Sequence, residues 1–221
     1  MQLWAAARKD LRLTWRTRAQ AMAVIAFAAS MLLLLGFAAG PDAAALRRQA
    51  AGFLWVSILF GSVLALAESF RHERTQQALE GLLLLGASPG ALFLAKAGAN
   101  TLLLMALGTA LVPLMAVLCD VAPTSVVGLL AVIALGAAGL AAPGTLYAAM
   151  TSQVRVGGQL LLPLLLLPLA APVLLAASKA SSLLLNGDPM GQLGSWVGLL
   201  AAFDAVYWPL GAVLFGAAVE E

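Results

Sequence analysis

Between Glu68 and Lys96 the chain gathers Glu68, Arg71, Glu73, Arg74, Glu80 and Lys96 into one stretch. The chemistry such groups offer is recognition, because ionised donors and acceptors make short, strong hydrogen bonds to a partner's polar groups. Long apolar runs flank the stretch, and charges of this density do not cross hydrocarbon. The segment therefore reads as a charged surface held between two apolar spans, where a soluble partner can grip. Other chemistry-bearing residues are sparse. His72 is the single histidine and Cys119 the single cysteine. One histidine supplies no His–His metal site, and one cysteine makes no internal disulfide. His72 reads as a solvated surface residue and Cys119 as a small apolar residue at a helix end. No catalytic residue and no metal site is expected.

The elements that hold this stretch are set by composition. Of 221 residues, 62% are hydrophobic and 10% charged, with a mean hydropathy of +0.99. Soluble domains carry about 25% charged residues, so too little polar surface is available here to cover a soluble body. The expectation is an all-α integral membrane protein, a single transmembrane domain over 1–221. Six spans of roughly 20 residues use about 120 residues and leave short loops. No Gly-rich phosphate loop with its Lys and Ser/Thr is present, so any ATP is hydrolysed on another chain. No signal-peptide pattern is evident at the basic N-terminus.

Spans are placed at about 21–39, 50–67, 95–118, 126–151, 158–178 and 195–218. Gly40-Pro41-Asp42, Ala122-Pro123-Thr124 and Asn186-Gly187-Asp188-Pro189 are turn signals between them. With the N-terminus inside, the inner segments hold Arg8, Lys9, Arg12, Arg16, Arg18, Arg71, Arg74, Lys96 and Arg155, against Arg47, Arg48 and Lys179 outside. Nine against three puts both termini in the cytoplasm by the positive-inside rule. Leu3, Trp4, Ala7, Leu11 and Trp15 fall at helical spacing beside Arg8, Lys9, Arg12 and Arg16. This N-terminal amphipathic helix, 1–20, suits the lipid interface.

Within the segment 68–94, Leu79, Leu82, Leu83 and Gly86 share one face of a short helix. Ser88-Pro89-Gly90 ends it, because proline disfavours helix in the residue before it. Inside span five, Pro163, Pro168 and Pro172 each remove a helix hydrogen bond. The freed carbonyls need partners in hydrocarbon, so these prolines are read as a gate or kink, bent or broken, buried in protein or lining a cavity. A static kink at a packing contact is the other reading. Asp204 is the one carboxylate placed inside a span. It must face protein, a cavity or water, and it is the candidate for a pathway role.

Gln77-Ala78-Leu79-Glu80, the leucine run and Ser88-Pro89 resemble the coupling-helix signature of type-2 export permeases of ABC transporters. Further matches run along the whole chain. They are Arg8-Lys9-Asp10-Leu11-Arg12-Leu13 with Trp15-Arg16, Gly52-Phe53-Leu54-Trp55-Val56, Leu94-Ala95-Lys96, Arg155-Val156-Gly157-Gly158, and Leu167-Pro168-Leu169-Ala170-Ala171-Pro172. Together they resemble the permease subunits of the cytochrome c maturation system, the CcmB-type haem exporters. Gln77 stands where that family usually has glycine, and the tail ends in Glu220-Glu221 rather than near an arginine.

The resemblance implies a soluble ABC ATPase subunit carrying the ATP, with Arg71, Glu73, Arg74, Leu79, Glu80, Ser88 and Pro89 at the contact. It also implies a haem-handling membrane subunit, a periplasmic haem chaperone, two permease copies per complex and a place in the bacterial inner membrane. Haem is then a cargo of the complex rather than a bound cofactor. Membrane lipid is a partner and nucleic acid is not. Tyr207 and Trp208 offer a flat surface to a porphyrin, with core packing or interface anchoring the plainer reading. Two other functions remain open. One is an exporter permease for a lipid, glycan or drug, which would share the cytoplasmic helix. The other is a cofactor-bearing membrane anchor of a redox complex, which needs histidines on two spans.

Overall fold

The computed structural model describes residues 21–76, 89–153 and 158–220. Among these residues six helices are long and apolar enough to cross a membrane, and no strand occurs. They are α1 (Ala21–Ala38), α2 (Ala43–Gln76), α3 (Pro89–Cys119), α4 (Val126–Gln153), α5 (Gly158–Asn186) and α6 (Leu193–Glu220). The protein is an all-helical multi-pass membrane protein.

Caps decide where these helices start and stop. The Asp42 carboxylate accepts from the Ala44 N–H at 2.9 Å, so α2 begins at Ala43 rather than near 50. Pro89 opens α3, a position where its missing N–H costs nothing. Past Cys119, Asp120 takes a positive φ of 51°, and the Val121 N–H reaches back to the Ala116 carbonyl at 3.2 Å. That is the six-residue closure of a Schellman end. Ser125 caps α4 through the Gly128 N–H at 3.0 Å. Asp188 accepts from the Leu193 and Gln192 N–H groups, each at 2.9 Å, at the start of α6. Those bonds, Leu193 first, hold its carboxyl below the usual aspartate range. Helix α5 runs on to Asn186, eight residues past the expected 178.

α4 is the central helix, packed against α2, α3, α5 and α6. Small residues make this close packing feasible without a hydrophobic drive between helices. The buried ring of Trp55 on α2 lies over Gly136 on α4, where a Cβ would stand 2.1 Å from a ring carbon. The indole N–H of Trp55 donates to Ser181 Oγ at 2.9 Å, which ties α2 to α5. Asn100 Nδ2 donates to Thr145 Oγ1 at 2.9 Å and ties α3 to α4. α6 is different. Only 11% of its span is buried, against 61% for α2, so α6 presents most of its surface outward.

One end of the bundle is fastened by two contacts. Arg47 pairs with Asp120, and the Thr124 N–H donates to the Leu184 carbonyl at 2.8 Å. The start of α2, the end of α3, the start of α4 and the end of α5 therefore share that end. The helices alternate in direction, and the connections 77–88 and 154–157 fall at the opposite end.

Candidate functional site

The charged stretch is not a separate loop at its start. α2 continues unbroken through Glu68, Arg71, Glu73 and Arg74 to Gln76. Nine residues of helix beyond Ala67 reach about 13 Å further along the axis. On the return side α3 already begins at Pro89, so residues 89–94 are its first turns. The expected segment 68–94 thus shortens to a connection over 77–88. Arg71, Glu73 and Arg74 fall on α2, Pro89 opens α3, and Leu79, Glu80 and Ser88 lie outside the described residues, as do residues 1–20 and Arg155.

The return arm is clamped onto α6. A Cβ on Gly90 would stand 3.1 Å from the Ala212 carbonyl oxygen, and one on Gly216 would stand 3.6 Å from the Pro89 ring. Phe93 is buried against Phe215, with ring centroids 5.7 Å apart and planes tilted by 51°. Gly211 leaves room for the Phe93 ring, whose tip would be 2.2 Å from a Cβ there. On the outgoing arm, Leu66 packs into the space over Gly144 of α4. The α3 end of the 77–88 connection is therefore seated on α6, while on the α2 side the contact of Leu66 over Gly144 lies ten residues before Gln76. Sequence periodicity carries no sign of this seating, because the contacts are between distant parts of the chain; the expected leucine face over 79–86 lies outside the described residues.

Asp204 lies deep in the membrane part of α6. It is eleven residues past Leu193 and sixteen before Glu220, about 16 and 24 Å of helix. Its Oδ1 is buried and has no hydrogen-bond partner among the described residues. That oxygen faces α4, where a Cβ on Gly139 would stand 3.1 Å away, and the same glycine abuts Val173 of α5. Gly139 and Val173 are also near the middles of their helices. The structure thus sets the carboxylate near the middle of the span Leu193–Gly216, where three helices meet. Tyr207 stacks on Phe203 with centroids 4.1 Å apart and planes within 20°. The flat surface expected of Tyr207 and Trp208 is therefore partly taken by a neighbour one turn away.

Pro163, Pro168 and Pro172 all lie inside α5, which remains one helix from Gly158 to Asn186. A broken helix is excluded. Pro163 is half-buried, while Pro168 and Pro172 are exposed. The prolines were expected at a gate or kink, buried in protein or lining a cavity; on this single chain the stripe Leu164, Pro168, Pro172 faces outward at four-residue steps. Leucine and proline rings meet lipid tails equally well, so the sequence pattern could not tell the two faces apart.

Comparison with known proteins agrees with this architecture. A family profile described as "CcmB protein" matches residues 1–221. Heme exporter protein B of Pseudomonas aeruginosa is 32% identical over 204 residues, covering 91% of this chain and 90% of that protein. Its namesake from Bradyrhizobium diazoefficiens is 30% identical over 224 residues, covering 99% and 97%. The one from Haemophilus influenzae is 31% identical over 172 residues, covering 78% and 77%. Matches of this extent take in the charged stretch, the proline-bearing helix and the carboxylate-bearing helix together, and the chain belongs to the CcmB protein family.

Proposed function

We propose that this protein is the membrane permease subunit of a haem-export ABC complex in c-type cytochrome biogenesis. The observation that carries the reading is the whole-length family match to proteins named heme exporter protein B. The architecture supports it: an apolar six-helix bundle in which α2 runs on through Glu68, Arg71, Glu73 and Arg74 to a short connection, and the returning arm is seated on α6. ATP is hydrolysed on a separate soluble subunit, and the stroke enters through Arg71, Glu73, Arg74, Leu79, Glu80, Ser88 and Pro89. The complex delivers haem to a periplasmic chaperone or releases the loaded chaperone, with a haem-handling membrane subunit and two permease copies. The protein sits in the inner membrane as one permease domain with both termini cytoplasmic. Haem is cargo, and this chain offers no histidine among the described intramembrane residues to ligate it.

Two intramembrane features supply the moving parts. The α5 prolines weaken backbone bonding where Pro163, Pro168 and Pro172 replace N–H donors, which lets α5 flex against α4. Asp204 marks the place where polar chemistry passes mid-membrane, since an unpaired carboxylate there is costly and is kept for use rather than for packing. The test is purification of the protein with its genetic neighbours, subunit identification and a haem absorption spectrum. An ATPase and a haem-bearing partner are expected to co-purify. Co-purification with envelope lipid or glycan enzymes and no haem would overturn the reading.

A further inference from the structure

At the fastened end of the bundle, α1, α2 and α5 enclose a groove of about 380 Å³. Its mouth carries Arg48 from α2 and Lys179 from α5, both exposed. Neither cation has an ion-pair partner among the described residues, whereas the adjacent Arg47 is paired with Asp120. The hydroxyls of Ser178 and Ser182 line the α5 wall. On α2 the wall is the stripe Arg48, Gly52, Val56, one residue per turn. Gly52 keeps the groove open: a Cβ there would meet only Ser178 Oγ, at 4.0 Å. Below Arg48 the α2 wall is apolar, with Phe53 about 8 Å and Val56 about 12 Å deeper.

Lys179 is seven residues inside the end of α5, about 10 Å of helix. A lysine at that depth must reach toward the head groups or meet an anion. Two unpaired cations and two hydroxyls over an apolar trough match one chemistry: a phosphate ester with a hydrocarbon tail. A free phosphate would leave the apolar depth of the groove unused. We propose that this groove is a binding site for an anionic phospholipid of the adjacent leaflet, with the headgroup phosphate between Arg48 and Lys179 and an acyl chain along Gly52 and Val56. The site is independent of the haem-export reading, since nothing in it touches the coupling end.

The test uses the full chain purified in mild detergent, titrated with phosphatidylglycerol or phosphatidylcholine, with bound lipid counted by native mass spectrometry. Phosphatidylcholine has the same phosphate but no net charge. One phosphatidylglycerol is expected to be held roughly 30-fold more tightly, two interfacial cations each contributing about fivefold. Arg48→Gln with Lys179→Gln should remove that preference, and Lys179→Arg should keep it. Arg47→Gln, which removes a neighbouring cation outside the groove, should leave it intact. If the double variant does not fold, as judged by its helical circular dichroism, the two single variants should each lose about fivefold. Equal retention of the two lipids, or an unchanged preference without Arg48 and Lys179, overturns the proposal. So does displacement of phosphatidylglycerol from the unsubstituted protein by inorganic phosphate, which would assign the groove to the free ion.

Discussion

Gly136 has no side chain because the ring of Trp55 occupies that space. Adding a methyl group there forces either the ring or the helix to move, and overpacking of this kind costs roughly 1–3 kcal/mol. Gly136→Ala should lower the thermal midpoint of the detergent-solubilised protein. The loss should shrink when Trp55→Phe is present, because the smaller ring leaves room, although that variant alone forfeits the bond to Ser181. Contacting residues of this kind are not additive; a Gly136→Ala cost that is the same in both backgrounds would show that the ring is not the obstacle. Asp204 is the opposite case, a residue whose place is unfavourable for stability. Its Oδ1 lies buried without a hydrogen bond, beside Gly139. Replacing an unsatisfied buried charge by an apolar residue of similar size is often neutral or stabilising. Asp204→Leu should therefore keep or raise the thermal midpoint while cytochrome c maturation falls. If both fall together, the carboxylate serves the fold and not the transport step.

Hydropathy located the middles of all six helices, and the turn signals at Gly40, Ala122 and Asn186 fell between them. The ends were displaced wherever a charge lies on a helix. Arg47 and Arg48 on α2 and Lys179 on α5 were counted as loop residues, yet α2 starts at Ala43 and α5 reaches Asn186. Hydropathy reports what tolerates hydrocarbon, whereas helix ends are set by caps such as Asp42 and by the capacity of long cationic side chains to reach out. Asp204 was visible as a lone intramembrane carboxylate, but its neighbours Gly139 and Val173 were not, since packing between distant helices leaves no local pattern. The charged connection was visible too, and its seating on α6 was not. A charge partner truncated in a buried interface costs roughly 2–5 kcal/mol. Glu80→Lys should release the ATPase or uncouple its hydrolysis while the permease keeps its helix content. Unchanged assembly and normal cytochrome c output in that variant would remove Glu80 from the contact. With the N-terminus placed inside by the positive-inside rule, alternation of the helices sets what labels should reach. Single cysteines near Arg47 and Asp188 should react with an impermeant reagent from outside, and one at Gln77 should not. External labelling at Gln77 would invert the orientation.

The molecule as a whole is a braced apolar bundle with very little surface suited to water. In the haem-export reading proposed above, work done by the bundle draws its energy from an ATPase partner. In that reading the energy would enter at the connection between α2 and α3, and α2 itself packs against α3, α4 and α5. Helix α5 carries the three prolines, each of which lacks an N–H donor. In a haem-export complex, loss of this subunit leaves the ATPase without a membrane grip. A deletion strain should then lose mature c-type cytochromes, read by haem staining of membrane proteins, while haem-loaded chaperone accumulates. Supplying the intact chain should restore both, and supplying Glu80→Lys should restore neither. Normal c-type cytochromes in the deletion strain, together with an altered envelope lipid or glycan, would assign the bundle to a different exported substrate and leave its mechanics unchanged.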